Sequence, residues 1–197
     1  MKSFACFVAF AALASSGYGL VARDPSIQKR TSCPSSSVVS TTTVTVGANS
    51  VEISTLSCGV AVTEDAAPII FDSPFPVSAP APADVCNELC TDLCSSVGPL
   101  PPVSEDCAVI VDAITILNGS VSPTFTVDPN TMQQLTFGTC RFFFENVSPN
   151  TLEYCWSALS NVASAAETAC FPPVQPVFSQ GLCVPTDGRW EVGVGHS

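Results

Sequence analysis

The sequence predicts an α+β fold: a small antiparallel sheet with two helices on one face, stapled by disulfides and preceded by a β-hairpin and a Pro-rich linker. Three observations predict it. The 197-residue chain carries 11 cysteines, and ten remain once a leader containing Cys6 is removed. In a short exported chain such an even set reads as a disulfide framework. From Ser104 onward, segments with a helical apolar period alternate with segments of period two. Before Ser104, dense Ser, Thr and Pro replace the apolar stripes a core helix needs.

The N-terminus has the three parts of a secretory signal: one charge at Lys2, an apolar run from Phe4 to Leu13, and small residues after it. Residues 1–19 are expected to be the signal peptide and 20–30 a pro-peptide, cut after the dibasic pair Lys29-Arg30. A chain starting at Thr31 keeps two arginines, Arg141 and Arg189, and no lysine, against sixteen of the 17 acids. Its net charge is −14, where the full chain carries −11. Two arginines are too few for a phosphate-binding surface, so nucleic acid is excluded as a partner, and adhesion to anionic lipid is disfavoured. No later segment is apolar over the ~20 residues a bilayer demands, so membrane insertion is not expected. The destination is the extracellular space.

Residues 31–63 form a Ser/Thr-rich segment between and beyond Cys33 and Cys58. Val38 to Val46 is β-branched, Gly47-Ala48-Asn49 is a turn signal, and Val51 to Leu56 resumes the alternation, which predicts a hairpin. The same density of Ser and Thr suits an O-glycosylated stalk, and both can hold. Residues 64–103 read as a linker. Pro68, Pro74, Pro76, Pro80 and Pro82 break it into short pieces, Ala79-Pro80-Ala81-Pro82 is polyproline-like, and Ile69-Ile70-Phe71 is a candidate core patch. Within it Cys86, Cys90 and Cys94, four residues apart, share one face of a predicted helix that Asp84 can cap. Zinc ribbons favour C-x2-C pairs, so these thiols are read as disulfides and no metal is expected.

Residues 104–197 are the predicted α+β unit. Ser104 is the expected N-cap of a first helix, with Glu105 and Asp106 in its first turn and Cys107, Ile110, Val111, Ile114 and Leu117 on one face. Thr124–Val127 reads as a short strand. Leu135–Phe144 reads as one central strand, Cys140, Phe142 and Phe144 pointing one way and Arg141 and Phe143 the other. Asn150-x-x-Glu153 resembles a capping box opening a second helix with Leu152, Cys155, Leu159, Val162, Ala166 and Cys170 in its stripe. Trp190–Val194 alternates as a last strand.

Cysteine parity adds topology. Cys107, Cys140, Cys155, Cys170 and Cys183 lie in the C-terminal unit, and Cys33, Cys58, Cys86, Cys90 and Cys94 lie upstream. Each set is odd, so complete pairing forces at least one bridge across the boundary. Cys107 and Cys140 are expected to fasten helix and strand to neighbours; the connectivity itself stays open.

Little catalytic chemistry is legible. The single histidine, His196, is one residue from the end and expected to fray, which leaves no Ser-His-Asp set. No P-loop or dinucleotide-binding glycine pattern is present, so no cofactor is expected. Glu105, Asp106, Asp112, Glu145, Glu153 and Glu191 are candidate carboxylates for a small glycoside hydrolase, but the first two read better as helix N-terminal charge and the others as a solvated face. Asn118-Gly119-Ser120 and Asn146-Val147-Ser148 are glycosylation sequons. Arg189 beside Trp190 is a candidate ligand contact, a sugar-stacking shelf with Trp156 and Tyr154 as further platform aromatics. The plainer reading pairs Arg141 and Arg189 with local acids such as Asp187 or Glu145.

Asp106-Cys107 at a helix start, followed by Phe137-Gly138-Thr139-Cys140-Arg141-Phe142 on a strand and then the Cys155 helix, resembles fungal secreted α/β-sandwich proteins. These are the necrosis-inducing extracellular effectors and, more distantly, the killer toxins of smut fungi. The resemblance covers about residues 104–197. It implies a sheet with helices on one face and a non-catalytic role outside the cell. The expectation is therefore a secreted interaction protein, effector- or toxin-like, whose partner is an extracellular protein or glycan. The alternatives are a cell-wall or glycan-binding module and a small glycoside hydrolase.

Overall fold

The computed structural model describes residues 33, 36–59, 80–96, 98, 100–174 and 176–197, all within the compact unit Thr31–Ser197. The leader, Lys29 and Arg30, and Ile69-Ile70-Phe71 lie outside the described residues. The fold is α+β, as the sequence predicts, but its main sheet is large. Seven antiparallel strands run in the order β1 (Ser37–Val46), β2 (Asn49–Ser57), β6 (Thr131–Phe137), β7 (Cys140–Asn146), β10 (Trp190–His196), β9 (Gln180–Pro185) and β4 (Cys90–Ser95). A second sheet of three strands has the order β3 (Ala83–Asp84), β8 (Leu152–Cys155), β5 (Thr124–Val127). The helices are α1 (Ser104–Ser120) and α2 (Trp156–Cys170).

The predicted hairpin forms as β1 and β2, in one register from Val46↔Asn49 to Ser40↔Thr55 and shifted between Ser40 and Val38. It is no separate segment: β2 pairs with β6 and is built into the sheet. The expected division of the chain at residues 63 and 103 therefore gives way to one sheet that draws strands from both sides of each boundary.

The Cys-triplet helix is corrected to a turn followed by a strand. Cys86 sits in a turn whose N–H donates to Asp84 Oδ1 at 2.9 Å, so Asp84 caps a turn and not a helix. Cys90 and Cys94 lie on β4 against β9. A spacing of four puts side chains on one face of a helix, but four is even, so it does the same on a strand.

The single strand Leu135–Phe144 is likewise corrected to a hairpin, β6 and β7, with Phe137↔Cys140 as its last pair. Gly138 turns the chain at φ +54°, and a Cβ there would collide with the Asp106 carboxylate. β9, which no local pattern in the sequence marks, fills the sheet between β10 and β4.

Neither helix starts as predicted. Ser104 is the first residue of α1, and its cap, Val103, makes no side-chain capping bond. Asn150 and Glu153 form no capping box. Residues 152–155 pair with β5 instead, and α2 opens at Trp156, whose N–H donates to Pro123 O at 3.1 Å. His196 is not frayed, since it pairs with Cys140 as the last residue of β10.

The core lies between the helices and one face of the main sheet. Phe142, Phe144, Trp190, Val192 and Val194 meet Ile110, Ile114, Leu159, Ala163 and Ala166. Each large side chain so buried contributes about 1.5–3 kcal/mol. Five bridges close the structure: Cys33–Cys58, Cys86–Cys155, Cys90–Cys183, Cys94–Cys170 and Cys107–Cys140. Three of them cross the boundary that parity required to be crossed. Cys107 and Cys140 are each other's partners, joining α1 to β7.

Candidate functional site on the helix-free face

Strand alternation gives β7 two unlike faces. Cys140, Phe142 and Phe144 enter the core, which sends Arg141, Phe143 and Glu145 to the face that carries no helix. In β10 the same alternation sends Glu191 and Gly193 there. Register then sets Glu191 directly opposite Glu145, and Gly193 opposite Phe143. A Cβ at Gly193 would enter the Phe143 ring, so glycine is what lets that ring lie flat across β10.

This face is covered. Phe143, Leu182, Met132, Leu56 and the Cys33–Cys58 bridge form a second apolar cluster. Beside it Glu145 is 6% and Glu191 2% exposed. Two adjacent carboxyls this deeply enclosed cannot both ionise at low cost. Burial first, then the charge of Glu191 and a hydrogen bond between the two side chains, push Glu145 up to about 8. A hydrogen bond from the Cys33 backbone and the Arg141 charge act the other way. Arg141 is itself lowered by burial, partly offset by Glu145, and its guanidinium lies 5.1 Å from the centroid of the Phe143 ring. Glu145 therefore holds its proton more tightly than a free carboxyl does.

Of the six candidate carboxylates, the structure thus brings two together, Glu145 and Glu191. Nothing local in the sequence pairs them; only the β7–β10 register does. Glu105 and Asp112 are exposed, Glu153 is half-buried on β8, and Asp106 is engaged at the start of α1.

The remaining candidates resolve as follows. Trp190 is fully buried, its ring 5.7 Å from that of Phe144 and 5.5 Å from that of Tyr154. Tyr154 and Trp156 are buried as well. The expected sugar-stacking shelf is therefore corrected: these aromatics are core. Arg189 pairs with Asp187 and, at 2.7 Å, with Glu88. Glu88 also accepts the Trp190 indole N–H at 3.0 Å, tying the segment before β4 to β10. Sequence reasoning missed Glu88, which lies 101 residues from its arginine.

Asn118 is exposed in the last turn of α1, an accessible acceptor. Asn146 is corrected. It is fully buried, its amide donates to Val127 O and Asn150 O, and its oxygen accepts from the Ser148 N–H and hydroxyl. A glycan on that nitrogen would break all of this.

Among the described residues no three or more His, Cys, Asp or Glu side chains group as a metal site, and no helix is long and apolar enough to cross a membrane. No family model, no curated protein and no solved structure matches the chain.

Proposed function

We propose that this protein is a secreted, cysteine-rich, non-catalytic interaction protein, effector- or toxin-like, acting by surface recognition outside the cell. The observation that carries this reading is the sulfur chemistry. All ten cysteines from Cys33 onward are engaged in bridges, which suits an oxidising compartment and leaves none of them as a nucleophile. The residues behind the effector resemblance support it further, because Asp106-Cys107 and Gly138-Thr139-Cys140 meet at one junction.

The surface supports recognition more than chemistry. β1 occupies an edge of the main sheet and its first seven side chains, Ser37–Thr43, are all exposed. Leu89 and Leu100 are exposed apolar groups as well. An open edge strand is a ready docking element for a partner strand.

The test is application of the purified, oxidised protein to living cells. Saturable surface binding is expected, and reduction followed by alkylation is expected to abolish it. Turnover of a glycoside panel without any saturable binding would reverse the reading.

A further inference from the structure

We propose that β1 is a self-association edge: two copies of this chain pair antiparallel along Ser40–Val46, about a two-fold axis at Thr43, and join their main sheets into one. This goes beyond the surface-recognition reading and does not depend on it.

The edge is open and undefended. Among the described residues β1 has one neighbouring strand, β2, and it ends the seven-stranded order. Exposed edges normally carry a charge or a proline, or are very short, which keeps other strands off. β1 has ten residues, with no charge, no proline and no glycine among them. The opposite edge, β4, has six residues and carries Asp92. The irregularity in β1 is the register shift between Val38 and Ser40, so the regular run is Ser40–Val46.

Backbone parity picks the register. Gly47-Ala48 is a two-residue turn closed by Val46↔Asn49, the hydrogen-bonded pair in hairpins of this kind. Alternation then aims the backbone groups of Thr42 and Val44 at β2, and those of Thr41, Thr43 and Thr45 outward. An antiparallel copy centred on Thr43 uses the whole regular run. It sets Thr43 opposite Thr43 of the second copy, and Thr41 opposite Thr45 of the second copy, each an outward-facing pair. On the helix side it sets Thr42 beside Val44 of the second copy, and Ser40 beside Val46. Val44 and Val46 are half-buried where they pack on the core, and the second copy covers them further. β-branched pairs of this sort are those that antiparallel ladders favour.

Charge selects the occupant. The chain has 17 acids against six Lys and Arg, yet no side chain of β1 gives a cationic partner anything to read. A neutral, β-branched edge is complemented by a strand of the same kind, and every copy of this chain carries one. The one charged residue on β1 or β2 is Glu52, directly across the hairpin from Thr43. In the paired form the two Glu52 residues stand three strand spacings apart, about 14 Å. That exceeds the screening length of ~8 Å at physiological salt. Two acidic copies therefore meet along these strands without setting acid against acid.

The test is sedimentation equilibrium of the protein with all five bridges intact. At roughly 100 µM, where weak interfaces show, the mass is expected to be twice that of one chain. Added salt should tighten the pairing, because it screens the net charge of the two copies. Amide exchange at Thr41, Thr43 and Thr45 should be slower than in a dilute sample. Thr43 is exposed, so Thr43→Lys and Thr43→Pro each supply a missing edge guard without entering the core. Both variants are expected to run as single chains at the same concentration, with bridge count and far-UV spectrum unchanged. Thr91→Lys, on the exposed side of β4, should still pair. A single chain for the wild type, a dimer that survives both Thr43 variants, or an O-glycan mapped to Thr41, Thr43 or Thr45 would overturn the proposal. A single chain that still binds cells saturably overturns it and leaves the function proposal standing.

Discussion

Asp106 and Thr139 form a clasp between the start of α1 and the β6–β7 turn. The Thr139 backbone N–H and hydroxyl donate to the same carboxylate oxygen, Asp106 Oδ2, at 2.7 and 2.8 Å. The next residue on each side forms the Cys107–Cys140 bridge. Thr139 Oγ1 also accepts the Val103 N–H at 2.8 Å, and Thr139 O accepts the Ser197 N–H at 3.0 Å. One turn therefore gathers a helix start, a disulfide and the C-terminal residue, and Gly138 has no side chain because the carboxylate occupies that space.

Removing the carboxylate should loosen the clasp. Asp106→Ala is expected to cost about 1–3 kcal/mol at neutral pH, read by denaturant unfolding. The two Thr139 hydrogen bonds hold Asp106 below the usual carboxylate range. A depressed folded pKa stabilises the fold above the unfolded value of ~3.9 and is lost as pH falls through the folded one. The gap between wild type and variant should therefore narrow below about pH 4. A gap that stays constant down to pH 2 would remove the ionic part of this account.

The buried pair behaves in the opposite sense. Glu145 is raised to about 8, so the folded state holds its proton more tightly than the unfolded chain does. The resulting linkage favours the fold at low pH and is lost as pH rises from the unfolded value of ~4.3 through the folded one. Glu145→Gln is expected to flatten this loss and to raise stability at pH 8 by about 1–4 kcal/mol. Thermal melts between pH 5 and 9 measure it, and a variant less stable than wild type at pH 8 would contradict it.

The two sequons should part company. Asn118→Gln is expected to remove a glycan from protein secreted by a glycosylating host, seen as a lower intact mass. Asn146→Gln is expected to leave the glycan mass unchanged and to destabilise the fold by about 1–3 kcal/mol, because buried partners lose their hydrogen bonds. Glycopeptide mapping that finds a sugar on Asn146 in folded protein would refute the burial argument.

β4 is an edge strand whose side chains are exposed or only half-buried. Beyond the β9 ladder it is held by Cys90–Cys183 and Cys94–Cys170, by Ser179 N–H donating to Ser95 O at 3.0 Å and by Leu93 against the second apolar cluster. Cys94→Ser with Cys170→Ser is expected to cost about 2–5 kcal/mol and to speed amide exchange in β4 before the central strands. Reduction of the wild type should add two hydrogens for each of the five bridges. Any thiol alkylated without reductant would show a bridge unmade.

Several features are legible in the amino-acid order alone. The parity of the two cysteine sets requires a crossing bridge, because a thiol can pair only once. The β-branched alternation from Val38 to Leu56 and the helical stripe from Cys107 to Leu117 are local periods that packing keeps. The α+β class follows from those periods.

Where two periods share a multiple, local pattern is mute. The spacing of Cys86, Cys90 and Cys94 fits helix and strand alike, and only the β4–β9 pairing puts Cys90 and Cys94 on a strand. The run Leu135–Phe144 is rich in apolar groups on both faces, so the turn at Gly138 becomes visible only through the carboxylate that packs against it. Alternation separates the two faces of β7 and β10 but does not say which is covered. Burial of Trp190, and the meeting of Glu145 with Glu191 beneath the Cys33–Cys58 bridge, depend on which strands become neighbours. That is decided by contacts between residues far apart in the chain, whose energies no local segment contains.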